Sequence, residues 1–300
     1  ATILEAGANM YRKAIEHDEV RSAVILIARK GRVVVHETLG WKDKESRNPL
    51  KKNAMFRMAS NIKPVVATAV AILSEKSRLK FDDPVYRHFS SFNNDRAKGI
   101  TLHHLLTHTS GFRIKPIFFK PLIEKSVKHP NAPSLKLEVD RFGEIGAAKP
   151  IGESYSYSNA GFNTLGAVVE TVTGKPLEMC LDQLIYKPLG MNDSYHHEVA
   201  DKLDGKLDRM SVVYYRREGK WVKGWKPGQP PKYPFVRASG GMISTAMDYA
   251  IFCQMYLNGG VYGGKRILKT ETVKLMTTQY TESLYTPVQK SKQEHYYGYG

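Results

Sequence analysis

A proline near the start of an apolar segment limits how residues 60–75, SNIKPVVATAVAILSE, can fold. Inside a continuous helix the ring of Pro64 would clash with the carbonyl group of residue 60, so a proline is tolerated here only in the first helical turn. We therefore predict that a helix begins close to Ser60 and that this serine lies at the exposed mouth of the helix.

The pair Ser60 and Lys63 has two interpretations. Residues three apart share one face of a helix, so the serine can be an N-cap and the lysine an ordinary surface charge. Alternatively, Ser60 is a nucleophile and Lys63 is its base, because a serine hydroxyl needs a base and a helix N-terminus together with burial lowers a lysine pKa. A second Ser-x-x-Lys match, Ser77 to Lys80, falls at the tail of the same helix with no apolar run after it, and we interpret it as structural.

Residues 154–160, SYSYSNA, contain a second candidate group, Tyr157-Ser158-Asn159. A tyrosine beside a cationic lysine can pass protons and so serve as a general base. An asparagine two residues later can point the same way and hydrogen-bond a substrate carbonyl or the lysine. The alternative is a polar turn that caps the next helix, with Asn159 as the N-cap.

Together, Ser60-Asn61-Ile62-Lys63 and Tyr157-Ser158-Asn159 resemble the motifs of the serine β-lactamase and penicillin-binding protein superfamily. Within it, the chain is similar to the class C-like branch, which includes family VIII carboxylesterases and D-alanyl-D-alanine carboxypeptidases. Longer phrases follow the order of that branch and extend the resemblance over nearly the whole chain: FRMASNIKPVVATAVAILSEKSRLKFDDPV, ITLHHLLTHTSGF, YSNAGFNTLGAVVETVTGKPL, PLGMNDS and SGGMISTAMDYAIFCQMYLNGG.

The resemblance implies a site built from four residues. Ser60 is expected to be the acylated nucleophile, and its backbone N–H to form half of the oxyanion hole. Lys63, alone or with Tyr157, is expected to accept the serine proton. Tyr157 would then protonate the leaving group and activate the deacylating water, while Asn159 would orient the substrate. We expect no cofactor.

The branch also has a third motif, lysine or histidine followed by any residue and then glycine. It lies on a strand that lines the cleft and supplies the second oxyanion N–H. His295-Tyr296-Tyr297-Gly298 lacks this spacing. We therefore expect the third motif and further strands to lie beyond residue 300.

The remaining patterns predict an α+β chain. Two strand-like runs, SAVILIARKG and RVVVHETLG, meet at Lys30-Gly31-Arg32, which is a hairpin signal. We predict a short helix over residues 100–112 that Thr101 caps and Gly111 ends. Further helices are predicted up to Gly174, over residues 180–191 and from about Thr245.

The resemblance implies a β-lactamase-like fold, with an antiparallel sheet flanked by helices and a mostly helical lobe. We expect one serine hydrolase domain over residues 1–300. Its α/β lobe would comprise residues 1–59 and 240–300, and its helical lobe residues 60–239.

The balance of charge suits an acidic partner, since 45 Lys and Arg stand against 29 Asp and Glu, a formal net charge of +16. Basic and aromatic residues alternate in residues 214–237, as they do in a nucleic-acid groove. No nucleic-acid-binding signature accompanies them. We therefore predict a solvated hairpin and loop there, and expect no nucleic-acid partner.

Two further features were considered: a metal site built from histidines and a disulfide between the two cysteines. His104 and His108 are four residues apart, with His103 beside them, but zinc would need a third ligand and usually a nearby glutamate, so we expect no metal. Cys180 and Cys253 lie in apolar helical patterns, and we expect two buried thiols rather than a disulfide.

The sequence gives little information about the cellular compartment of the protein. No apolar run is long enough to span a bilayer, since the longest, Val65–Leu73, is about half the required length, and cysteine usage does not fix the compartment. We expect a bacterial periplasmic or secreted protein whose signal peptide has been removed, with a cytoplasmic protein as the alternative. The oligomeric state is open.

We predict a carboxylesterase for small or medium acyl esters that acts through acyl-Ser60. A D-alanyl-D-alanine carboxypeptidase or a β-lactamase would use the same residues on a peptide or a β-lactam. A third hypothesis is a non-catalytic binding protein with a basic surface. The four site residues argue against it, because a binding module has no chemical need for that set.

Overall fold

The computed structural model describes residues 3–112, 114–199, 203, 205–231, 233–285 and 296–300. The α-helices in these residues are α1 (Ile3–Glu16), α2 (Ile62–Glu75), α3 (Leu102–Leu106), α4 (Lys115–Phe118), α5 (Leu135–Ile145), α6 (Asn159–Thr173), α7 (Leu177–Leu181), α8 (Lys187–Leu189), α9 (Ala246–Leu257) and α10 (Thr270–Thr277). In this part of the chain no helix combines the length and the apolar character that crossing a membrane requires.

The β-strands in the same residues are β1 (Ser22–Arg29), β2 (Arg32–Asp43), β3 (Asn48–Pro49), β4 (Phe56–Arg57), β5 (Tyr195–His196), β6 (Val213–Arg217), β7 (Lys220–Trp225), β8 (Met242–Ser244), β9 (Val261–Tyr262) and β10 (Lys265–Arg266). Their pairings are antiparallel. The mixture of helices and antiparallel strands agrees with the predicted α+β class.

Two compact units divide the chain. The first comprises Ala1–Met58, Gly190–Pro231 and Met242–Gln254, and the second comprises Ala59–Leu189, Lys232–Gly241 and Met255–Gly300. All four candidate site residues of the sequence analysis belong to the second unit.

The first unit is built on antiparallel strands. In one sheet β2 lies between β1 and β3, in another β8 lies between β4 and β5, and β6 pairs with β7. Helix α1 packs against β1 and β2. A buried apolar cluster comprises Met55, Leu203, Met210, Trp225 and Ile243.

The turn between β1 and β2 is the hairpin that the sequence predicts. Arg29 pairs with Arg32, and the two residues between them, Lys30 and Gly31, have φ angles of 51° and 73°. Two consecutive residues with positive φ give the tight turn whose twist matches that of the flanking strands. Glycine adopts this conformation without steric cost, which explains its place in the turn.

The basic and aromatic segment also forms the predicted hairpin, β6–β7. The Lys223 ammonium group lies 2.7 Å from the Asp43 carboxylate and 3.2 Å from that of Glu45. The Arg216 guanidinium carbon lies 4.8 Å from the centre of the Trp221 ring. These basic side chains therefore contact acidic and aromatic partners within their own unit.

Helix α2 lies in the core of the second unit. Every residue from Ile62 to Leu73 except Pro64 is buried, and each large apolar side chain among them contributes about 1.5–3 kcal/mol through burial. Helix α2 packs against α6, α7 and α10, and α6 in turn packs against α3 and α5. The helices that begin with the two candidate motifs are thus in direct contact.

Most predicted helix ends are confirmed. Pro64 lies in the first turn of α2, Thr101 caps α3, and Gly174 ends α6 with a φ angle of 70°. Helix α3, however, ends at Leu106 and does not continue to Gly111. His108 has a φ angle of 58°, and a right-handed helix cannot continue through that conformation.

The predicted helix over residues 180–191 is interrupted. Helix α7 ends at Leu181, residues 182–186 form a π-helical turn, and the short α8 follows. Pro188 has no N–H, and its ring excludes the carbonyl group four residues earlier, which favours a wider turn before it.

Both cysteines are free; Cys180 is buried, but Cys253 is exposed, so the prediction of two buried thiols was wrong for Cys253.

Candidate active site

Ser60 lies in a short 3₁₀ turn, Ala59–Asn61, that leads directly into α2. Its neighbour Ala59 has a φ angle of 48°, a left-handed conformation that costs a non-glycine residue on the order of 1–3 kcal/mol and often marks functional sites. Ser60 itself is exposed. The residue at the N-cap of α2 is Asn61, so the interpretation of Ser60 as the helix cap is wrong.

Lys63 is not a surface charge, because only 1% of the residue is exposed. Its Nζ lies 2.9 Å from Ser60 Oγ and 3.2 Å from the carbonyl oxygen of Ser239. The same nitrogen lies 4.7 Å from the centre of the Tyr157 ring and 5.7 Å from that of Phe162. Lys63 thus brings Ser60 and Tyr157, which are far apart in the sequence, to one amine.

The surroundings of Lys63 disfavour its charged form. Burial, with the positive charge of Arg237 as a second and smaller cause, lowers the pKa of Lys63 from the ordinary 10.5 to about 8. In the neutral amine the lone pair can accept the Ser60 O–H, while an N–H donates to the Ser239 carbonyl. This is the protonation state that a general base requires.

The second candidate group, Tyr157-Ser158-Asn159, lies at the start of α6. Ser158 is the N-cap, and its Oγ accepts a hydrogen bond of 3.1 Å from the Gly161 N–H. Asn159 is the first residue of the helix, so the interpretation of Asn159 as the cap is wrong by one position. The Asn159 Oδ1 atom is buried and accepts no hydrogen bond from the described residues. Tyr157, just outside the helix, is 45% exposed.

His108 holds both neighbours of Tyr157, a role that the sequence analysis did not predict. Its carbonyl oxygen accepts the Ser156 N–H at 2.8 Å, and its Nδ1 accepts the Ser158 N–H at 3.0 Å. The centres of the His108 and Tyr157 rings are 4.5 Å apart. The histidine is fully buried, and burial, with a smaller effect of the Lys63 charge, lowers the pKa of His108 to about 3.

The proton of the neutral His108 ring can be assigned from these contacts. Because Nδ1 accepts a backbone N–H, the proton is on Nε2, and Nε2 donates to the Tyr297 hydroxyl at 3.1 Å. His108 and Tyr297 are separated by 189 residues, so no local pattern could have predicted their contact. Tyr297 belongs to the segment that lacks the spacing of the third motif, and His295 of that segment lies outside the described residues.

A glycine allows the segment that carries the Ser239 carbonyl to approach α6. A Cβ atom on Gly166 would lie 2.6 Å from the Cβ of Ala238, which is closer than packed side chains allow. One turn away, the Asn163 Oδ1 accepts the Ser239 N–H at 3.1 Å. Helix α6 thus positions both Tyr157 and the carbonyl group that binds Lys63.

The histidines considered as metal ligands have other contacts. The His104 ring takes part in the capping box of α3 with Thr101, and the His103 Nδ1 lies 2.6 Å from the Tyr299 hydroxyl. Within the described part of the chain, no group of three or more His, Cys, Asp or Glu side chains is arranged to hold a metal ion.

Known proteins that are similar to this chain include an esterase, a penicillin-binding protein homologue and a class C beta-lactamase. It is 33% identical over 215 residues to the esterase EstB of Burkholderia gladioli, a match that covers 69% of this chain and 53% of that protein. The octameric penicillin-binding protein homologue from Pyrococcus abyssi superposes with a TM-score of 0.78 at 26% identity, over 99% of this chain and 64% of that one. A class C beta-lactamase from Rhodobacter sphaeroides, at 21% identity and a TM-score of 0.70 over 91% of this chain and 70% of that one, shares the fold.

The chain spans about half the length of the esterase that it matches. The model of the beta-lactamase family matches residues 8–300, which confirms the resemblance and the fold class predicted from the sequence. The chain therefore belongs to the beta-lactamase family of serine hydrolases.

Proposed function

We propose that this chain is a carboxylesterase that forms an acyl-enzyme on Ser60. The observation that carries the proposal is the contact of 2.9 Å between Ser60 Oγ and the buried Lys63 amine, whose pKa is lowered to about 8. A serine hydroxyl must lose its proton as it attacks a carbonyl carbon, and a lysine that is neutral near pH 8 can accept that proton.

In acylation, Ser60 Oγ attacks the carbonyl carbon of the ester. The hydroxyl proton moves to the neutral amine of Lys63, a bond forms between Oγ and carbon, and the carbonyl oxygen becomes an oxyanion. When the oxyanion collapses, the bond from carbon to the alcohol oxygen breaks. Tyr157 donates its proton to the departing alkoxide and regains a proton from Lys63, against which its ring lies.

In deacylation, water attacks the same carbon atom. Its proton passes through the Tyr157 hydroxyl to the Lys63 amine, and a second tetrahedral oxyanion forms. Collapse of this intermediate breaks the bond to Ser60 Oγ, which takes the proton back from Lys63. The carboxylic acid leaves, and all three side chains return to their starting protonation states.

Two groups would bind the rest of the reacting ester. The backbone N–H of Ser60 lies in the turn that enters α2, where the first N–H groups of a helix have no partner within the helix, and we assign it to the oxyanion. Asn159 would orient the substrate: its side-chain N–H can donate to the substrate carbonyl, and its buried Oδ1, which accepts no hydrogen bond from the described residues, can accept one from a substrate that carries a donor.

Similarity to EstB supports an ester as the substrate. The second candidate is a D-alanyl-D-alanine carboxypeptidase or β-lactamase activity, which the penicillin-binding homologue from Pyrococcus abyssi favours. The proton transfers would be the same, with a peptide or lactam nitrogen as the leaving atom.

The test is hydrolysis of p-nitrophenyl butyrate by the 300-residue chain, with a D-alanyl-D-alanine peptide and a β-lactam assayed in parallel. We expect turnover of the ester and its loss in Ser60→Ala. Ser77→Ala is the matched control, because it removes the serine of the second Ser-x-x-Lys match, and it should retain turnover. Ester turnover that survives in Ser60→Ala would refute the role of Ser60, and turnover of only the peptide or the β-lactam would favour the second candidate.

A further inference from the structure

We propose that residues 119–128 bind the surface of an anionic phospholipid bilayer. The inference goes beyond the proposed function and does not depend on it, because it assigns a partner to residues that take no part in the proposed reaction. The name apolar-basic segment is used below for residues 119–128. Its exposed side chains are of two kinds, apolar and basic: Phe119, Ile123 and Val127, and Lys120, Lys125 and Lys128.

Three large apolar side chains of the apolar-basic segment are in contact with water. Phe119 is 54% exposed, Ile123 is 50% exposed and Val127 is fully exposed, at 104%. Single exposed apolar residues are ordinary on a protein surface, whereas a group of them marks a site of interaction with another protein or a membrane. The apolar side chains therefore indicate a partner that removes them from water.

A tight turn near the end of the segment projects two of its side chains. The Ser126 N–H donates to the His129 carbonyl at 3.2 Å, and the His129 N–H donates to the Ser126 carbonyl at 3.1 Å. This reciprocal pair of hydrogen bonds leaves Val127 and Lys128 as the two residues at the tip of the turn. An apolar side chain and a cation therefore project into solvent side by side.

The start of the segment is anchored to α5. The Leu122 N–H donates to the buried Glu138 carboxylate at 2.8 Å, and the Arg141 guanidinium donates to the Lys120 carbonyl at 3.4 Å. Glu138 and Arg141 also form an ion pair of 2.8 Å with each other. Because α5 already holds this part of the backbone, binding would order little additional chain.

The charge of the segment suits an anionic surface. Its three lysines are exposed, and none of them forms an ion pair within the part of the chain that the structure describes. Glu124 is the only carboxylate of the segment, so three lysines against one glutamate leave an excess of two positive charges. Each lysine close to a bilayer rich in anionic lipid strengthens binding about fivefold.

The combination of apolar and basic side chains favours a bilayer over other acidic partners. Ile123 and Val127 gain by entering the boundary between headgroups and acyl chains, while the long stems of the lysines let their ammonium groups remain at the phosphates. A nucleic acid would instead stack its bases on aromatic rings, and Phe119 is the only such ring in the segment. Lysine is also depleted from interfaces between proteins.

The experiment is sedimentation of the 300-residue chain with vesicles of phosphatidylcholine that contain about one-third phosphatidylglycerol. Vesicles of phosphatidylcholine alone and duplex DNA are tested in parallel. We expect binding to the anionic vesicles that is at least about tenfold tighter than to the neutral ones and that weakens between about 0.1 M and 0.5 M salt. Equal binding to both kinds of vesicle would overturn the proposal, and binding to DNA without binding to vesicles would overturn it in favour of a nucleic-acid surface.

The charges are tested by replacing the three lysines of the segment with glutamine: Lys120→Gln, Lys125→Gln and Lys128→Gln. We expect the affinity for anionic vesicles to fall about 100-fold, since three factors of about five multiply. The matched control removes the same charge from three other exposed lysines of the second unit: Lys76→Gln, Lys265→Gln and Lys274→Gln. It should lose far less affinity, and an equal loss in both triple variants would overturn the assignment to this segment.

The apolar contact is tested by Val127→Ser, which shortens a fully exposed side chain and keeps all three lysines. Its affinity for anionic vesicles should fall about tenfold. Leu257→Ser is the matched control, because Leu257 is 81% exposed in the same unit, and it should bind as the unaltered chain does. Unchanged binding by Val127→Ser would mean that its side chain does not enter the bilayer, and would overturn the proposal.

Discussion

The pH dependence of the reaction follows from the burial of Lys63. Desolvation, with the Arg237 charge as a second cause, lowers the pKa of Lys63 from 10.5 to about 8. At pH 7 a lysine with a pKa of 8 is neutral in about one molecule in ten, and one with a pKa of 10.5 in about one in 3,000. The environment therefore raises the fraction of active base about 300-fold, which corresponds to about 3 kcal/mol.

The expected profile has a definite sign. Lys63 must be neutral to accept the proton of Ser60, so kcat/KM should rise with pH and level off above about pH 8. Arg237→Gln removes the positive charge that adds to the effect of burial on the pKa of Lys63, so its profile should shift toward higher pH and its activity at pH 7 should fall. Arg237→Lys retains the charge and is the matched control, with a profile like that of the unaltered chain.

The assay is p-nitrophenyl butyrate hydrolysis from pH 5.5 to 9.5, corrected for the spontaneous reaction at each pH. Activity that falls as pH rises through this range would mean that a protonated Lys63 is the active form. An inflection that stays in place in Arg237→Gln would mean that the Lys63 pKa does not control the rate. Either result would refute the reasoning.

Three further variants test other contacts. Tyr157→Phe should lower kcat by about 10²–10⁴-fold because it removes proton transfer, and an unchanged kcat in stopped-time assays would exclude that role. In urea titrations, His108 should contribute a loss of up to about 5 kcal/mol of stability as pH falls from 6.5 to 3, because unfolding lets this histidine take up a proton. His108→Phe should therefore lose less stability over this range, since only the other groups with lowered pKa values remain, and an equal loss in both chains would contradict the assignment. Gly166→Ala should lower the free energy of unfolding by about 1–3 kcal/mol through its clash with Ala238, whereas Gly240→Ala, whose Cβ would meet nothing closer than 3.6 Å, should not.

Where local chemistry decides the backbone, the sequence predicted the structure. Pro64 can occupy only the first turn of a helix, so the start of α2 was predictable within about two residues. Gly31 and Gly174 occupy left-handed conformations that end an element or reverse the chain. Each of these predictions depends on one residue and its immediate neighbours.

Contacts between distant segments could not be predicted in this way. The sequence gives the spacing of Ser60 and Lys63 but not the burial of the lysine, which depends on α6 and on residues 237–239. His108 was considered only as a metal ligand, since its contacts with Ser158 and Tyr297 require the tertiary fold. Its left-handed φ angle ends α3 early; histidine is one of the residue types enriched in that conformation, but the sequence does not show which histidine adopts it.

The candidate site could be assembled from the sequence only through its resemblance to a family. Residue chemistry alone left Ser60 as either a cap or a nucleophile, and Asn159 as either a cap or a substrate ligand. The structure excludes the cap interpretations, because it locates the caps at Asn61 and Ser158, and the catalytic and ligand roles stay predictions.

The proposed mechanism requires that Ser60 becomes covalently modified during turnover. We would measure it by treating the chain with an alkyl fluorophosphonate, which phosphonylates an activated serine with loss of fluoride, and locating the adduct by peptide mass spectrometry. We expect one adduct, on Ser60, with labelling that is abolished in Ser60→Ala and slowed in Lys63→Ala. An adduct on another residue, or labelling at the same rate in Lys63→Ala, would contradict it.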